Sequence, residues 1–341
     1  MKSKRMNEIF EKARLNLDIT ILPIALILVV IIMSISTDFL FLSHTNIWSM
    51  LLQLPEFGMF TLAMMLAMAV GGINLSIIST ANLVGVTMAW LMMNIIPPEA
   101  SGMNLIMMLL LITAGGLLIS LLLGAINGVL IAYVEVPAVL ATLSTMIFYE
   151  GLTLAITGGR AISGLPATFV SFGNGTTFGI PNPFYIFIIV GLLVRIMIKK
   201  TSIGKYQIMV GSNNKAALFS GINTKKVLMQ TYMLSGLLSG IAGIIMISRF
   251  NAANARFGVS YLLLAVLAAV LGGTDPNGGY VRVGGVIVAL FLLQSLNSGI
   301  NMLGVSSFMA TMLWGILLIA IIAYRQGMAK YKDKYLSKLV K

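Results

Sequence analysis

Apolar residues in this chain come in long, nearly unbroken blocks rather than in the short amphipathic rhythm of a soluble domain. Ten blocks can be read: 19–39, 47–70, 76–95, 105–133, 137–156, 184–200, 228–248, 257–272, 283–303 and 307–324. Most reach or approach the roughly 20 residues that cross a hydrocarbon layer as a helix. The pattern predicts an all-α polytopic membrane protein with about ten transmembrane helices. One membrane domain, 19–324, is expected between a basic N-terminal segment, 1–18, and a basic tail, 325–341. An even number of crossings puts both termini on one side.

The polar connections divide accordingly. One side receives 40–46, 96–104, 157–183, 249–256 and 304–306; the other receives 71–75, 134–136, 201–227 and 273–282. Two turns of the second set are glycine-rich, Gly71-Gly-Ile-Asn-Leu-Ser76 and Gly272-Gly-Thr-Asp-Pro-Asn-Gly-Gly279. Irregular backbone of this kind is tolerated at membrane depth where protein or water covers it, so both turns are candidates to re-enter the membrane. The polar island Gly211-Ser-Asn-Asn-Lys-Ala-Ala-Leu-Phe-Ser-Gly-Ile222 interrupts two apolar blocks. It is expected to start a helix at Ser212 or Asn213 and to stop it at Gly221. Ala216, Ala217 and Phe219-Ser220 are expected to share a small, partly apolar face. A docking helix for a soluble partner and a plain connecting helix on the lipid surface are both compatible with that chemistry.

Composition sharpens this picture. Hydrophobic residues make up 58% of the 341, charged residues 9%, and mean hydropathy is +0.99. A soluble domain carries roughly a quarter charged residues, so that class is excluded. The net charge of +12 comes from 22 Lys and Arg against 10 Asp and Glu. Five of the basic residues precede the first block, seven lie from Arg195 to Lys226, and six from Arg325 to Lys341. With Arg282 these fall on one predicted side, leaving Arg160, Arg249 and Arg256 on the other. This is the positive-inside bias, and it makes both termini cytoplasmic. Anionic lipid is a sufficient partner for such charge, so no nucleic acid is implied. Block 19–39 exceeds a signal-peptide core and reads as an uncleaved first span.

The chain offers little catalytic chemistry. Zero cysteines exclude disulfides and thiolate sites. No Gly-x-x-x-x-Gly-Lys-Ser/Thr cradle exists for a nucleotide, so any ATPase must be another polypeptide. His44 and Glu56 fall toward the outer ends of their blocks and read as interfacial. One His without a nearby acidic cluster supports no metal or hydrolase site, and neither a metal nor a cofactor is expected. Glu150 stands within a predicted span, where a carboxylate is costly and by default functional; contact with a polar solute, pairing with Arg160 or Arg249, proton carriage and plain access to interfacial water all remain open. Gly236, Gly240 and Gly243 lie at helical spacing and suggest close helix packing; the 24 Met read as packing filler. Asn127-Gly with 134–143 echoes Asn297-Ser with 304–312, either as an inverted repeat or as chance likeness between apolar segments.

Several blocks together resemble a known family. Gly211-x-Asn-x-x-Ala216-Ala217-x-x-Ser-Gly221-Ile222-Asn, followed by Tyr232-Met-Leu-Ser-Gly-x-x-x-x-Ile-Ala-Gly243-Ile, looks like the membrane permease subunits of ribose-type ABC sugar importers. Gly71-Gly-Ile-Asn-Leu-Ser76, Asn127-Gly-Val-Leu-Ile-Ala with Pro137-Ala-x-x-Ala-Thr-Leu143, and Val270-Leu-Gly-Gly-Thr274 with Gly278-Gly279 and Leu303-Gly-Val-Ser-Ser307 follow in the expected order. The similarity spans roughly 45–325, and Thr157-Gly-Gly-Arg-x-Ile-x-Gly-Leu-Pro166 looks closest to the autoinducer-2 branch and its sugar-transporting relatives. Two positions depart from the family pattern: Asn74, where Asp is usual, and Glu150, where Arg is frequent.

The resemblance implies a transport subunit rather than an enzyme, in a bacterial plasma (inner) membrane. It implies a second permease subunit, identical or related, a cytoplasmic ABC ATPase and an external sugar-binding protein. It makes 211–222 the coupling segment, with Ser212, Asn213, Ala216, Ala217, Phe219 and Gly221 facing or shaping the ATPase contact. Asn74, Ser76, Thr142 and Glu150 are the expected polar surface of the substrate path. The alternative is an ion-coupled secondary transporter using Glu150.

Overall fold

The computed structural model describes residues 21–97, 99–306, 308–321 and 323. Both basic terminal segments, 1–18 and 325–341, and Ser307 of the last motif lie outside the described residues. In chain order the helices are α1 (Ile21–Ser36), α2 (His44–Ala69), α3 (Ile77–Ile95), α4 (Gly102–Ala132), α5 (Ala138–Thr157), α6 (Ala167–Asn174), α7 (Asn182–Lys200), α8 (Ser202–Ser212), α9 (Asn214–Phe219), α10 (Thr224–Phe250), α11 (Val259–Leu271), α12 (Val283–Met302) and α13 (Phe308–Ile321). A 3-10 turn, Leu40–Leu42, precedes α2. Four two-residue strands pair as β1 (Ile162–Ser163) with β4 (Ala252–Ala253) and β2 (Thr176–Thr177) with β3 (Ile180–Pro181), both antiparallel.

Every apolar block overlaps one of these helices. Seven are long and apolar enough to cross a membrane: α2, α3, α4, α5, α7, α10 and α12. The other three, α1, α11 and α13, are apolar but shorter.

The helices differ in how they meet their surroundings, and the difference explains their composition. Every residue of α2 from Leu54 to Ala69 is buried. A helix that is apolar all round belongs inside protein, and α2 is wrapped by α10, α11, α12 and α7. In α4, α5 and α7 under a third of the apolar stretch is buried, so each presents a broad apolar face outward.

Close packing is set by small residues. Gly236 and Gly240 of α10 lie against Gly124 and Ser120 of α4, where a Cβ on Gly236 would stand 2.5 Å from the Ser120 carbonyl. The predicted glycine stripe therefore packs helices, but it serves two neighbours. Gly243 turns instead to Ala81 of α3.

The turns 71–75, 201–227 and 273–282 meet at one point: a Cβ on Gly278 would stand 2.7 Å from the Gly71 nitrogen and 2.8 Å from the Gly211 oxygen. On the opposite side β1, from 157–183, pairs with β4, from the α10–α11 connection.

That connection is not a surface loop. Arg249, one residue before the end of α10, binds Glu56. Glu56 lies twelve residues beyond His44, roughly 18 Å along α2. Segment 251–258 thus lies level with the middle of α2, with Ala253 and Ala255 buried and Asn251 and Arg256 exposed, and the short helix α11 starts there. Glu56 itself is fully buried, which corrects the interfacial reading. Its oxygens hold Arg249 at 2.6 and 3.3 Å and accept from the Tyr261 hydroxyl at 2.5 Å. A buried carboxylate survives only with such partners. His44 is exposed at the start of α2 and stacks on Trp48, as an interfacial residue should.

Candidate functional site

The first region is the break between α2 and α3. Gly71 (φ +79°) turns the chain out of α2 in a conformation that a side chain would strain. Asn74 then closes the break. Its Oδ1 accepts from the Ser76 amide (3.1 Å) and hydroxyl (2.8 Å), and its Nδ2 donates to Ser235 Oγ of α10 (2.9 Å). Ser235 donates onward to the Ala63 carbonyl at 2.9 Å. Asn127 of α4 donates to Ser76 Oγ (2.8 Å) and accepts from Thr145 of α5 (2.6 Å). Thr142 donates to the Ile73 carbonyl at 2.9 Å. Three of the four expected path residues, Asn74, Ser76 and Thr142, thus come together, and all are buried.

These hydrogen bonds join four helices around irregular, buried backbone. Each contributes about 1 kcal/mol, and more is lost if a buried partner is left unpaired. In this conformation the three residues hold the break in place and do not line an open channel. Asn127, Thr145 and Ser235 are not singled out by the sequence; Asn127 and Ser235 do stand inside the quoted motifs, and polar residues within apolar blocks are the available signal.

The second region is the polar island 211–222. Asn213 caps α9, its Oδ1 accepting from the Ala216 amide at 3.0 Å. Ser212 belongs to the end of α8 rather than to the island helix, so the earlier of the two expected starts is not used. At the other end Gly221 (φ +80°) donates to Leu218 O and Ile222 donates to Ala217 O, at 3.0 and 3.1 Å. This is the Schellman arrangement, and it favours a residue without a Cβ at position 221.

Ala217 and Ile222 pack inward with Ala67, Val70, Val210 and Tyr232. Phe219 is 90% exposed, and Leu218 and Ala216 are exposed beside it. The expectation that Ala216, Ala217 and Phe219 share one face is therefore corrected: Ala217 anchors α9 to the bundle, while Ala216 and Phe219 face out. The Phe219 ring therefore makes little contact within this chain.

The third region is the outer half of α5. Glu150 lies eight residues beyond Thr142, roughly 12 Å along the helix, and does not join the Asn74 cluster. Its carboxylate pairs with Arg256 at 3.2 Å, not with the expected Arg160 or Arg249. Among the described residues no cluster of three His, Asp or Glu could hold a metal ion.

The capped helix α9, the glycine junction and the hydrogen-bonded break between α2 and α3 adjoin one another at the end of α2.

Known proteins resemble this chain over most of its length. The ribose import permease protein RbsC of Bacillus subtilis is 36% identical over 309 residues, covering 90% of this chain and 92% of that protein. The D-allose transport system permease protein AlsC of Escherichia coli K12 is 29% identical over 304 residues, covering 89% and 90%. The autoinducer 2 import system permease protein LsrD of Escherichia coli O9:H4 is 31% identical over 274 residues, covering 79% and 80%. No solved structure matches the chain. Residues 46–322 match the family described as branched-chain amino acid transport system / permease component, and the chain belongs to that family.

Proposed function

We propose that this chain is the membrane-spanning permease subunit of an ABC importer for a sugar or sugar-like solute, resident in a bacterial plasma membrane. An external binding protein delivers the solute, and separate cytoplasmic ATPases supply the energy. Two permease subunits, identical or related, complete the path. Ten crossings place both termini in the cytoplasm. The importer works by alternating access: ATP binding draws the ATPases together, α9 is displaced, and the inner ends of the helices rearrange.

The observation that carries this reading is the continuity from Phe219 to Asn74. The exposed ring of α9 is two residues from buried Ala217, which belongs to the cluster at the end of α2. Gly211 lies against the same end of α2, and the Asn74 network starts five residues beyond it. The secondary-transporter alternative needs a titratable relay at depth. Among the described residues the two helical carboxylates outside the inner surface, Glu56 and Glu150, are each bound to an arginine.

Proteoliposomes separate the readings. Accumulation of a labelled monosaccharide that requires ATP, the ATPase and the binding protein supports the importer. Accumulation by this chain alone under an imposed proton gradient would refute it.

A further inference from the structure

The connection 157–183 ends in a hairpin whose tip packs against almost nothing in this chain. Thr176–Thr177 pairs with Ile180–Pro181, which leaves Phe178 and Gly179 as the turn. Both stand at positive φ, +51° and +75°, as in the type I′ turn of two-residue hairpins. An Asn or Gly takes the first of these positions at less cost than an aromatic residue does. Phe178 is nevertheless there, and it is 96% exposed. The ring serves neither the turn nor the packing of the chain, so its use lies outside the chain.

Hydrogen bonds brace the hairpin and fix its level. Tyr185, in the first turn of α7, donates its hydroxyl to the Thr177 carbonyl at 2.7 Å. Thr177 Oγ1 donates to Asn182 Oδ1 at 2.8 Å, and the Asn182 amide donates to the Gly175 carbonyl at 3.0 Å. Tyr185 heads the face of α7 that continues through Ile188, Ile189 and Leu192, each at least half exposed. Just before the hairpin, Asn174 donates to the Arg249 carbonyl at 3.1 Å, and Arg249 holds Glu56. The base of the hairpin therefore lies level with the middle of α2, not beyond the end of the bundle. Between Arg160 and Arg195 the chain has no charged residue.

We propose that the Phe178 ring is a lipid anchor, seated among the acyl chains of the leaflet on this side, the outer one in the topology that the charges imply. The anchor requires that the chain span a membrane and is independent of its solute. Acyl chains take up an apolar ring that the chain leaves bare, and that transfer is favourable. A soluble partner would have to reach down to the middle of α2, and its steering draws on complementary charge, which 161–194 lacks. A second copy gains no hydrophobic energy by displacing lipid from the Ile188–Leu192 face. Seated in lipid, the hairpin ties α6 to the bilayer and, through Asn174, the Arg249 end of α10 as well.

The absence of native cysteine permits a direct test. Phe178→Cys carries a single nitroxide label, and its collision rates with oxygen and with a water-soluble nickel chelate are measured in nanodiscs. Ile189→Cys is the lipid reference and Arg160→Cys the water reference. The ratio of oxygen to chelate collisions at 178 should match that at 189 and exceed that at 160 several-fold. A ratio equal to that at 160 overturns the anchor. Low collision with both reagents, the sign of a protein contact, overturns it too. If the cysteine variant does not fold, Phe178→Trp decides, in a chain also carrying Trp48→Phe, Trp90→Phe and Trp314→Phe. Quenching of its fluorescence by lipids brominated in the acyl chains supports the anchor, and quenching by aqueous acrylamide alone overturns it.

Discussion

The Gly279 amide donates to the Ala69 carbonyl at 3.1 Å, so the α11–α12 turn is bonded directly to the last residue of α2. Gly211 presses on the same carbonyl from the end of α8, where a Cβ would stand 2.1 Å from that oxygen. Three segments far apart in sequence meet here largely backbone to backbone, with the Ser212 side chain against Gly279. A close junction of this kind is expected to pass a displacement of α8 on to α2.

Gly211→Val should be felt as overpacking against backbone, which costs about 1–3 kcal/mol. A lower thermal midpoint in nanodiscs is the expected result, together with reduced uptake by whatever importer still assembles. An unchanged midpoint would mean that α8 can lift from α2 freely, and the close junction would be wrong.

Phe219 and Ala217 lie two residues apart and should respond oppositely. Phe219→Asp alters an exposed ring, and surface changes of that kind stay within about 0.5 kcal/mol. Thermal stability should hold while ATP-driven uptake and pull-down of the ATPase are lost. Ala217→Glu forces a carboxylate into the cluster of Ala67, Val70 and Tyr232. It should lower the midpoint first and uptake only as a consequence. Stable, ATPase-bound protein with Phe219→Asp would reject α9 as the coupling element.

Asn127 is the bridge between α4, α5 and the α2–α3 break. Asn127→Leu keeps the volume but leaves the Ser76 and Thr145 hydroxyls without that partner. Ser76 still donates to Asn74 and Thr145 to the Thr142 carbonyl, so the cost is that of two lost hydrogen bonds, about 1 kcal/mol each. A drop in thermal midpoint is expected, and trypsin in nanodiscs should cut inner-side loops faster. Resistance equal to the unaltered chain would show that the break is held by packing alone.

The positions of the helices are legible because membrane spans are written in long apolar runs, and the runs 105–133 and 283–303 match α4 and α12 to within a few residues. Caps are legible too: Asn213 and Gly221 act locally, within a few residues of themselves. The facing of α9 is not, since six residues make under two turns and Ala216, Ala217 and Phe219 carry no periodic signal. Glu56 is misread from sequence for another reason. Its partner Arg249 is 193 residues away, and pairing over that distance exists only in the fold. The run of uncharged residues from Phe57 to Val70 behind it is the clue that this carboxylate does not reach water. The Asn74 cluster is a similar case, in which each polar residue is visible and their mutual satisfaction is not.

That Glu56–Arg249 pair yields the sharpest stability contrast. Removing one partner strands the other: Glu56→Gln or Arg249→Met leaves a buried charge without its counterion, which typically costs about 3–5 kcal/mol. Replacing the whole set is a different matter. Glu56→Leu with Arg249→Met removes both charges but takes the acceptor from the Tyr261 hydroxyl, so Tyr261→Phe must accompany them. The triple variant should recover most of the midpoint lost by either single change, because apolar replacements of a buried pair are often neutral or stabilising. Thermal unfolding of the four proteins in one nanodisc preparation reads the contrast directly. If the triple variant melts as low as the singles, the pair contributes more than mutual neutralisation, and its role in joining α2, α10 and α11 would have to be sought in a specific geometry that apolar packing cannot reproduce.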